Sequence, residues 1–444
     1  MSSLNQRPLL LISLNEVNFD LVESYLRSDP HRFPSLKKLI ALKSIRTTSE
    51  NAYNLLEPWI QWASVYTGLG FEEHAIYRLG DIVGSTTPQI FELLEQQGLT
   101  VGAIAPMNAE NRLKRPAYFI PDPWTKTPSD PGVWSKLLSA VISQGVNDNA
   151  VGRLTGFSVA VLCMATLRFL RFKSYPKFLG LVAKSLKKPW RRALALDLLL
   201  HEVHLGLLGL HNPDFSTVFL NAGAHIQHHY FFNALPMGNV VPNRNPFWYL
   251  SGDDDPMIEM LDLYDYIIRD YLGGEDRELV VATGLTQKPY DRLKFYYRLQ
   301  NHAAFLRLIG IKFVEVHPRM TRDFVVEFGG ESECADAERL LRSLHVEIDG
   351  LPLFGEMDNR GSTLFITLTY PNEITDASTF KFDGKTHALA RNVAFVAIKN
   401  GMHDSEGFAF FSSGVSKFAP PNLSHVKYLG KTLSDYFGIS AAPK

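Results

Sequence analysis

The chain has 444 residues, of which 45% are hydrophobic and 20% charged. That is an ordinary globular composition, with room for one large α/β domain with insertions or for two domains. A net charge of -1 excludes a chain that binds nucleic acid through its bulk charge. Two distant cysteines, Cys163 and Cys334, make neither a CxxC pair nor a disulfide framework, which points to a reducing, cytoplasmic setting.

The apolar run Leu9-Leu-Leu-Ile-Ser-Leu14 predicts a first buried strand, since it is too short for a signal-peptide core and no small-residue cleavage site follows. Helices are predicted over residues 19–26 and 59–66, the second ending at Thr67-Gly68. A third, over 88–97, stops at Gly98, where a glycine cap belongs. A strand at 101–105 then leads into a Pro/Asn-rich loop over 106–131. Buried strands alternating with helices predict an α/β fold: a mostly parallel sheet with helices on both faces.

Residues 132–212 read as successive helices. Basic residues from Arg168 to Arg192 are interleaved with Phe and Leu, and no acid appears before Asp197. Two readings stand: a solvated cap packed on the sheet, or a basic amphipathic surface (168–192) for peripheral contact with anionic lipid or a phosphorylated substrate. The longest apolar stretch noted, 157–167, is about half of what spans a bilayer. Sheet strands are expected again at 216–220, 279–282 and 393–398. Residues 295–385 read as a small inserted α+β unit. The expected division is 1–131, 213–294 and 386–444 for the core, with 132–212 and 295–385 as insertions.

The sharpest local signal is Thr217-Val-Phe-Leu-Asn-Ala-Gly-Ala-His-Ile-Gln-His-His229: a strand running into three histidines, with no Asp or Glu between Phe215 and Asp253. Imidazoles at a strand end suit metal ions or substrate oxyanions, yet a hydrolytic metal site wants a carboxylate beside them.

Five stretches in order resemble the alkaline phosphatase superfamily, nearest its type I phosphodiesterase and nucleotide pyrophosphatase branch. They are Leu9–Leu14 ending in Asn15-Glu16, Trp62-Ala-Ser-Val-Tyr-Thr-Gly68 with Glu72-Glu-His-Ala-Ile76, and Phe219-Leu-Asn-Ala-Gly-Ala-His-Ile-Gln-His228. His403-Asp-Ser-Glu-Gly407 and the closing Phe437-Gly-Ile439 complete the set. The resemblance implies that superfamily's core fold and a two-metal site attacking phosphorus. Four positions depart from it. Asn15 stands at the first ligand Asp, Ala224 at the central Asp, Ala282-Thr-Gly-Leu-Thr286 at a ligand-bearing strand end, and Pro58, after Glu57, near the nucleophile. A conventional two-metal site is therefore not expected.

The resemblance nominates Glu57 as nucleophile or general base, although a carboxylate before Pro58 is also what a helix N-terminus favours. Glu16, Asn15, His228 and His403 are the remaining catalytic candidates. Substrate-binding candidates are His225, Gln61, Glu406, Trp124, Arg319 and Arg322. His228, His403 and Glu16 could hold one divalent metal ion, and the site is equally readable as metal-free. The leading reading is a hydrolase or transferase acting on a phosphoryl- or sulfuryl-type ester of a small or glycolipid-like anionic substrate. The alternatives are a non-catalytic binder of a phosphorylated or lipid-linked saccharide or of a protein, and a transferase of glycan or glycolipid biosynthesis.

Overall fold

The computed structural model describes residues 6–147, 155–237, 244–274, 276–319 and 322–439. Leu9–Leu14, buried at every position, lies inside an eight-stranded sheet. Across the sheet the strands run Ser424–His425, Lys43–Thr48, Glu406–Phe411, Glu278–Ala282, Leu9–Leu14, Phe215–Leu220, Val101–Ile104 and Tyr118–Ile120. The five from Glu278–Ala282 to Tyr118–Ile120 pair in parallel, and Glu406–Phe411 runs antiparallel to both of its neighbours. Strands buried at every position, such as Leu9–Leu14 and Phe215–Leu220, are what a sheet covered by helices on both faces requires. The α/β expectation is borne out. Lys43–Thr48 and Tyr118–Ile120 escaped the sequence reading, the first because Ile45 is its one apolar residue and the second because it has three residues.

One strand assignment is corrected. Residues 393–398 were expected in the central sheet, but Val393–Asp404 pairs antiparallel with Thr286–Leu299 in a separate two-stranded ribbon. Its apolar composition misled because the outward Phe395 packs against Trp248, Tyr249 and Tyr297 instead of entering the main core. From this ribbon grows a second lobe, a four-stranded antiparallel sheet (Phe354–Asn359, Thr363–Leu368, Asp323–Glu327, Glu315–Pro318) with its own apolar core running from Tyr297 to Val393.

The described residues from Val133 to His211 include the helices Val133–Asn147, Gly156–Phe169, Tyr175–Lys184 and Arg191–His211. The last is long and apolar enough to cross a membrane by length and composition, which the sequence reading did not single out. It is a core helix here: Leu194, Leu198, Val203 and Leu208 are buried in the main cluster. Glu202, at 0% exposure, is met by Arg171, and Asp270 joins the same guanidinium. That ion-paired group ties the helical segment to helix Pro256–Leu272.

Candidate active site: Glu16, His228 and His403

Three adjacent strands, Glu278–Ala282, Leu9–Leu14 and Phe215–Leu220, end together, and the carboxyl ends of parallel strands are where open α/β sheets gather ligand-contacting groups. The first strand runs out at Asn15 and Glu16. Glu16 has φ +62, a left-handed conformation that a non-glycine residue adopts at a cost of roughly 1–3 kcal/mol when its surroundings enforce it. Here they do. The Glu16 N–H donates to Thr283 O, its carbonyl accepts from Gln227 Nε2, and its carboxylate accepts from Asn15 Nδ2 and Gln287 Nε2.

The histidine segment is a helix, Ala222–Tyr230, which turns its three imidazoles to different tasks. His225 is exposed. His229 Nδ1 donates to Ile398 O at 2.8 Å, stitching the helix to the ribbon. Asn400 adds two more stitches, accepting from Phe231 N–H and donating to His229 O. His228 points inward, its Nδ1 3.2 Å from Gly401 O and its Nε2 3.3 Å from Glu16 Oε2. His403, on the ribbon, completes the centre with Nε2 3.2 Å from the same Glu16 oxygen and Nδ1 3.6 Å from Glu57 Oε2.

Each of the two rings therefore has an oxygen within 3.6 Å of each nitrogen. A neutral imidazole carries one N–H, so in either tautomer each ring leaves a lone pair facing an oxygen. Burial, with Lys399 nearby, pushes His228 down to about 4, so this ring is neutral near pH 7. Burial also opposes protonation of His403, but the charges of Glu16 and Glu57 outweigh it and raise its pKa. Burial alone would lift the Glu16 carboxyl, yet the two histidines hold it well below the usual carboxylate range. His403 Nε2 is buried without a hydrogen-bond partner among the described residues.

A cation between Glu16 Oε2, His228 Nε2 and His403 Nε2 would resolve both lone-pair conflicts at once. The three atoms lie within 4.8 Å of one another. The carboxylate–imidazole separations of 3.2 and 3.3 Å match the edge, about 3.3 Å, of a tetrahedron with arms of roughly 2.0–2.1 Å. Gly401 O and Glu57 Oε2 behind the far ring nitrogens are the outer partners that orient metal-binding imidazoles. The donor set fits one divalent ion. Among the described residues no second group of ligand atoms of this kind adjoins these strand ends.

Glu57 precedes helix Pro58–Thr67, but its side chain makes no capping hydrogen bond. It faces His403 instead and, at 32% side-chain exposure, is the most open of the four groups. Burial pushes its carboxyl up, against the pull of His403 and Lys399. Lys399, over the Tyr296 ring on the same ribbon, bears electrostatically on Glu57, His228 and His403, and Arg322 lies 3.9 Å from the centroid of that ring.

Other nominated residues stand apart from the centre. Asn15 is 1% exposed and both ends of its amide are engaged: Oδ1 accepts from Trp62 Nε1 at 2.8 Å, and Nδ2 donates to Glu16 and to Asn221 Oδ1. It positions the Glu16 carboxylate and has no free group for substrate. Gln61 is fully buried and donates to Leu55 O, bracing the turn before its helix. Glu406 pairs with Arg46 at 2.8 Å. Trp124 N–H donates to Asp122 in the loop after the outermost strand. Arg319 N–H donates to Asp323 O in the second lobe, and Arg322 Nη1 donates to Leu368 O. The sequence reading missed Asn221, Gln227, Gln287 and Lys399. Gln227 lay in full view between the histidines, whereas Gln287 could be found only from the ribbon that folds it back.

No protein-family model matches the chain, and no curated protein matches it in sequence. Several solved structures are similar to it in fold. Phosphonoacetate hydrolase from Sinorhizobium meliloti 1021, in complex with phosphonoformate, is 13% identical over 97% of this chain and 96% of that one, with a TM-score of 0.43. Murine ectonucleotide pyrophosphatase/phosphodiesterase 5 is 10% identical over 98% and 96%, with a TM-score of 0.42. Thermus thermophilus alkaline phosphatase is 12% identical over 99% and 93%, with a TM-score of 0.43. At these TM-scores the likeness lends no residue role to this chain.

Proposed function

We propose that the chain is a divergent member of the alkaline phosphatase superfamily, a hydrolase or transferase acting on a phosphoryl- or sulfuryl-type ester of an anionic, small or glycolipid-like substrate. In this reading 132–212 and 295–385 are units inserted into the core. The observation that carries it is the meeting of Glu16, His228 and His403 from three distant places in the chain, with Glu57 at the open side. Glu16, His228 and His403 fall in stretches that the resemblance marks out, and Glu57 adjoins Pro58, near the nucleophile position it implies. The two free cysteines suit a cytoplasmic protein.

Glu16 Oε2, His228 Nε2 and His403 Nε2 would hold one divalent ion, which when bound supplies Lewis-acid polarisation of an ester oxygen. The remaining roles fall to the chain's own groups. Glu57, with its carboxyl raised by burial, serves as nucleophile or as the base that takes a proton from an attacking hydroxyl. His403 steers that carboxylate through Nδ1. Lys399 offers positive charge to the anionic group being transferred.

The test is elemental analysis of the purified protein before and after chelation, for the wild type and for Glu16→Gln, His228→Ala and His403→Ala. A panel of phosphate and sulfate mono- and diesters is run alongside. One equivalent of metal in the wild type, lost in the variants, together with turnover of one ester class, is the expected result. No metal under any loading condition and no turnover would sink the proposal. Glu57→Gln separates the roles further: loss of turnover at saturating metal marks a chemical role, and rescue by metal marks an orienting one.

A further inference from the structure

The helical segment buries one apolar face and leaves another bare. Phe169, Leu170, Leu194 and Leu198 sit in the main core. On the outside, Phe172 is 95% exposed, Leu186 83% and Leu167 75%, and Phe157, Leu179 and Met164 follow at 57%, 57% and 46%. Helices Gly156–Phe169 and Tyr175–Lys184 both pack on Arg191–His211, and each carries large apolar side chains that are left exposed. Tyr175 joins them, its hydroxyl donating to Thr166 O and its ring beside Phe172. Isolated exposed leucines are normal, but six large apolar side chains exposed along one basic segment mark a binding surface.

The charge on this surface names the occupant. From Gly156 to Leu196 there are nine Arg or Lys and no acid. Arg171 and Lys173 are tied to Asp270, Lys188 to Asp254 and Arg191 to Glu259. Arg168, Lys177, Lys184, Lys187 and Arg192 have no ion-pair partner among the described residues. Exposed Phe and Leu with interleaved lysines match a bilayer interface, where apolar side chains enter the acyl boundary and ammonium groups meet anionic headgroups. Among the described residues one helix is long and apolar enough to span, and it is 67% buried over its most apolar stretch, so the exposed side chains of 157–187 are what the segment offers to a bilayer. We infer that the outer face of residues 157–187 docks the protein on anionic lipid bilayers as a peripheral protein.

The test is co-sedimentation of the full chain with vesicles of phosphatidylcholine alone and of phosphatidylcholine with phosphatidylserine. Binding to the second only, weakened by salt, is expected. Lys184→Glu with Lys187→Glu should lower that partition by about thirty-fold or more. Phe172→Ser with Leu186→Ser should abolish it while leaving the circular dichroism spectrum unchanged, since both side chains are exposed. Equal binding to both vesicles, or to neither, overturns the inference. So does a wild type that self-associates without lipid through Phe172 and Leu186, seen as a change of mass in the serine variant by sedimentation velocity.

Discussion

Gly401 is where the ribbon meets the histidine helix, and replacing it with Ala is the most exacting check on the geometry of the centre. The new Cβ would stand 2.3 Å from Gln227 O and 2.5 Å from Gln287 Oε1, where ordinary contact begins at 3.4 Å. The ribbon and the helix must then part by roughly 1 Å, an overpacking that costs about 1–3 kcal/mol. The parting also loosens the hydrogen bond from His228 Nδ1 to Gly401 O, worth about 1 kcal/mol. A loss of about 2–4 kcal/mol in unfolding free energy is expected by denaturant titration. Because His403 lies two residues further along the ribbon, calorimetric affinity for Zn²⁺ should fall by about 10–100-fold, the scale of a lost outer-shell contact. Gly209→Ala is the control: nothing lies within 4 Å of its added Cβ on helix Arg191–His211, so it should stabilise by about 0.5–1 kcal/mol. If Gly401→Ala matches the wild type in both stability and affinity, the packing of ribbon on helix described above is wrong.

Two further perturbations probe what holds the site in place. Asp197 accepts from Asn221 N–H, Ala222 N–H and Tyr264 Oη, anchoring the start of the histidine helix, so Asp197→Ala should cost about 3 kcal/mol through stranded donors. Burial pushes the Asp197 carboxyl up to about 6, so the folded state holds this proton more tightly than the unfolded chain. Its contribution is present below about pH 4 and lost as pH rises through 6, with a ceiling of about 3 kcal/mol. Asp197→Asn should flatten that part of the stability–pH curve, and an unaltered slope would count against the assignment. Arg171→Met removes the counter-charge of the fully buried Glu202 and should destabilise by about 3–5 kcal/mol in chemical unfolding. A loss under 1 kcal/mol would mean that Glu202 is neutral.

The core was legible because its strands are mainly apolar: Leu9–Leu14 is broken only by Ser13, Phe215–Leu220 ends in Val218-Phe-Leu220, and Gly98 marks its helix end by a positive φ. His228, His403 and Glu16 were legible through the order of motifs along the chain. What stayed hidden depends on folding back. Val393–Asp404 looks like a central strand until Thr286–Leu299 is seen to pair with it. Asn15 read as a catalytic candidate at the position of a ligand Asp, and only the fold shows its amide engaged by Trp62, Glu16 and Asn221. Glu57 read both as nucleophile or base and as an ordinary helix-start carboxylate, and the arrival of His403 from 346 positions later is what gives it a partner. Amide side chains carry no sequence signature of their role, because their hydrogen bonds point wherever the fold brings an acceptor.

Those amides also bear on how many cations the centre suits. Asn15, Asn221, Gln227 and Gln287 surround Glu16, so the buried negative charge is one carboxylate, with Glu57 as a second at the open side. One divalent ion with neutral imidazoles brings that group to zero, and two would leave it at plus two in a low-dielectric setting. Asn15→Asp tests this balance. It would set a second carboxylate where Nδ2 now lies 3.1 Å from Glu16 Oε1, and carboxylates that close cannot both ionise without a cation between them. Metal-free protein carrying this change should unfold at a lower temperature than the wild type, and Zn²⁺ should raise its midpoint by more than it raises the wild type's. Equal shifts in the two proteins would mean that charge at position 15 is not felt at the centre, and the neutrality argument for a single cation would fall with it.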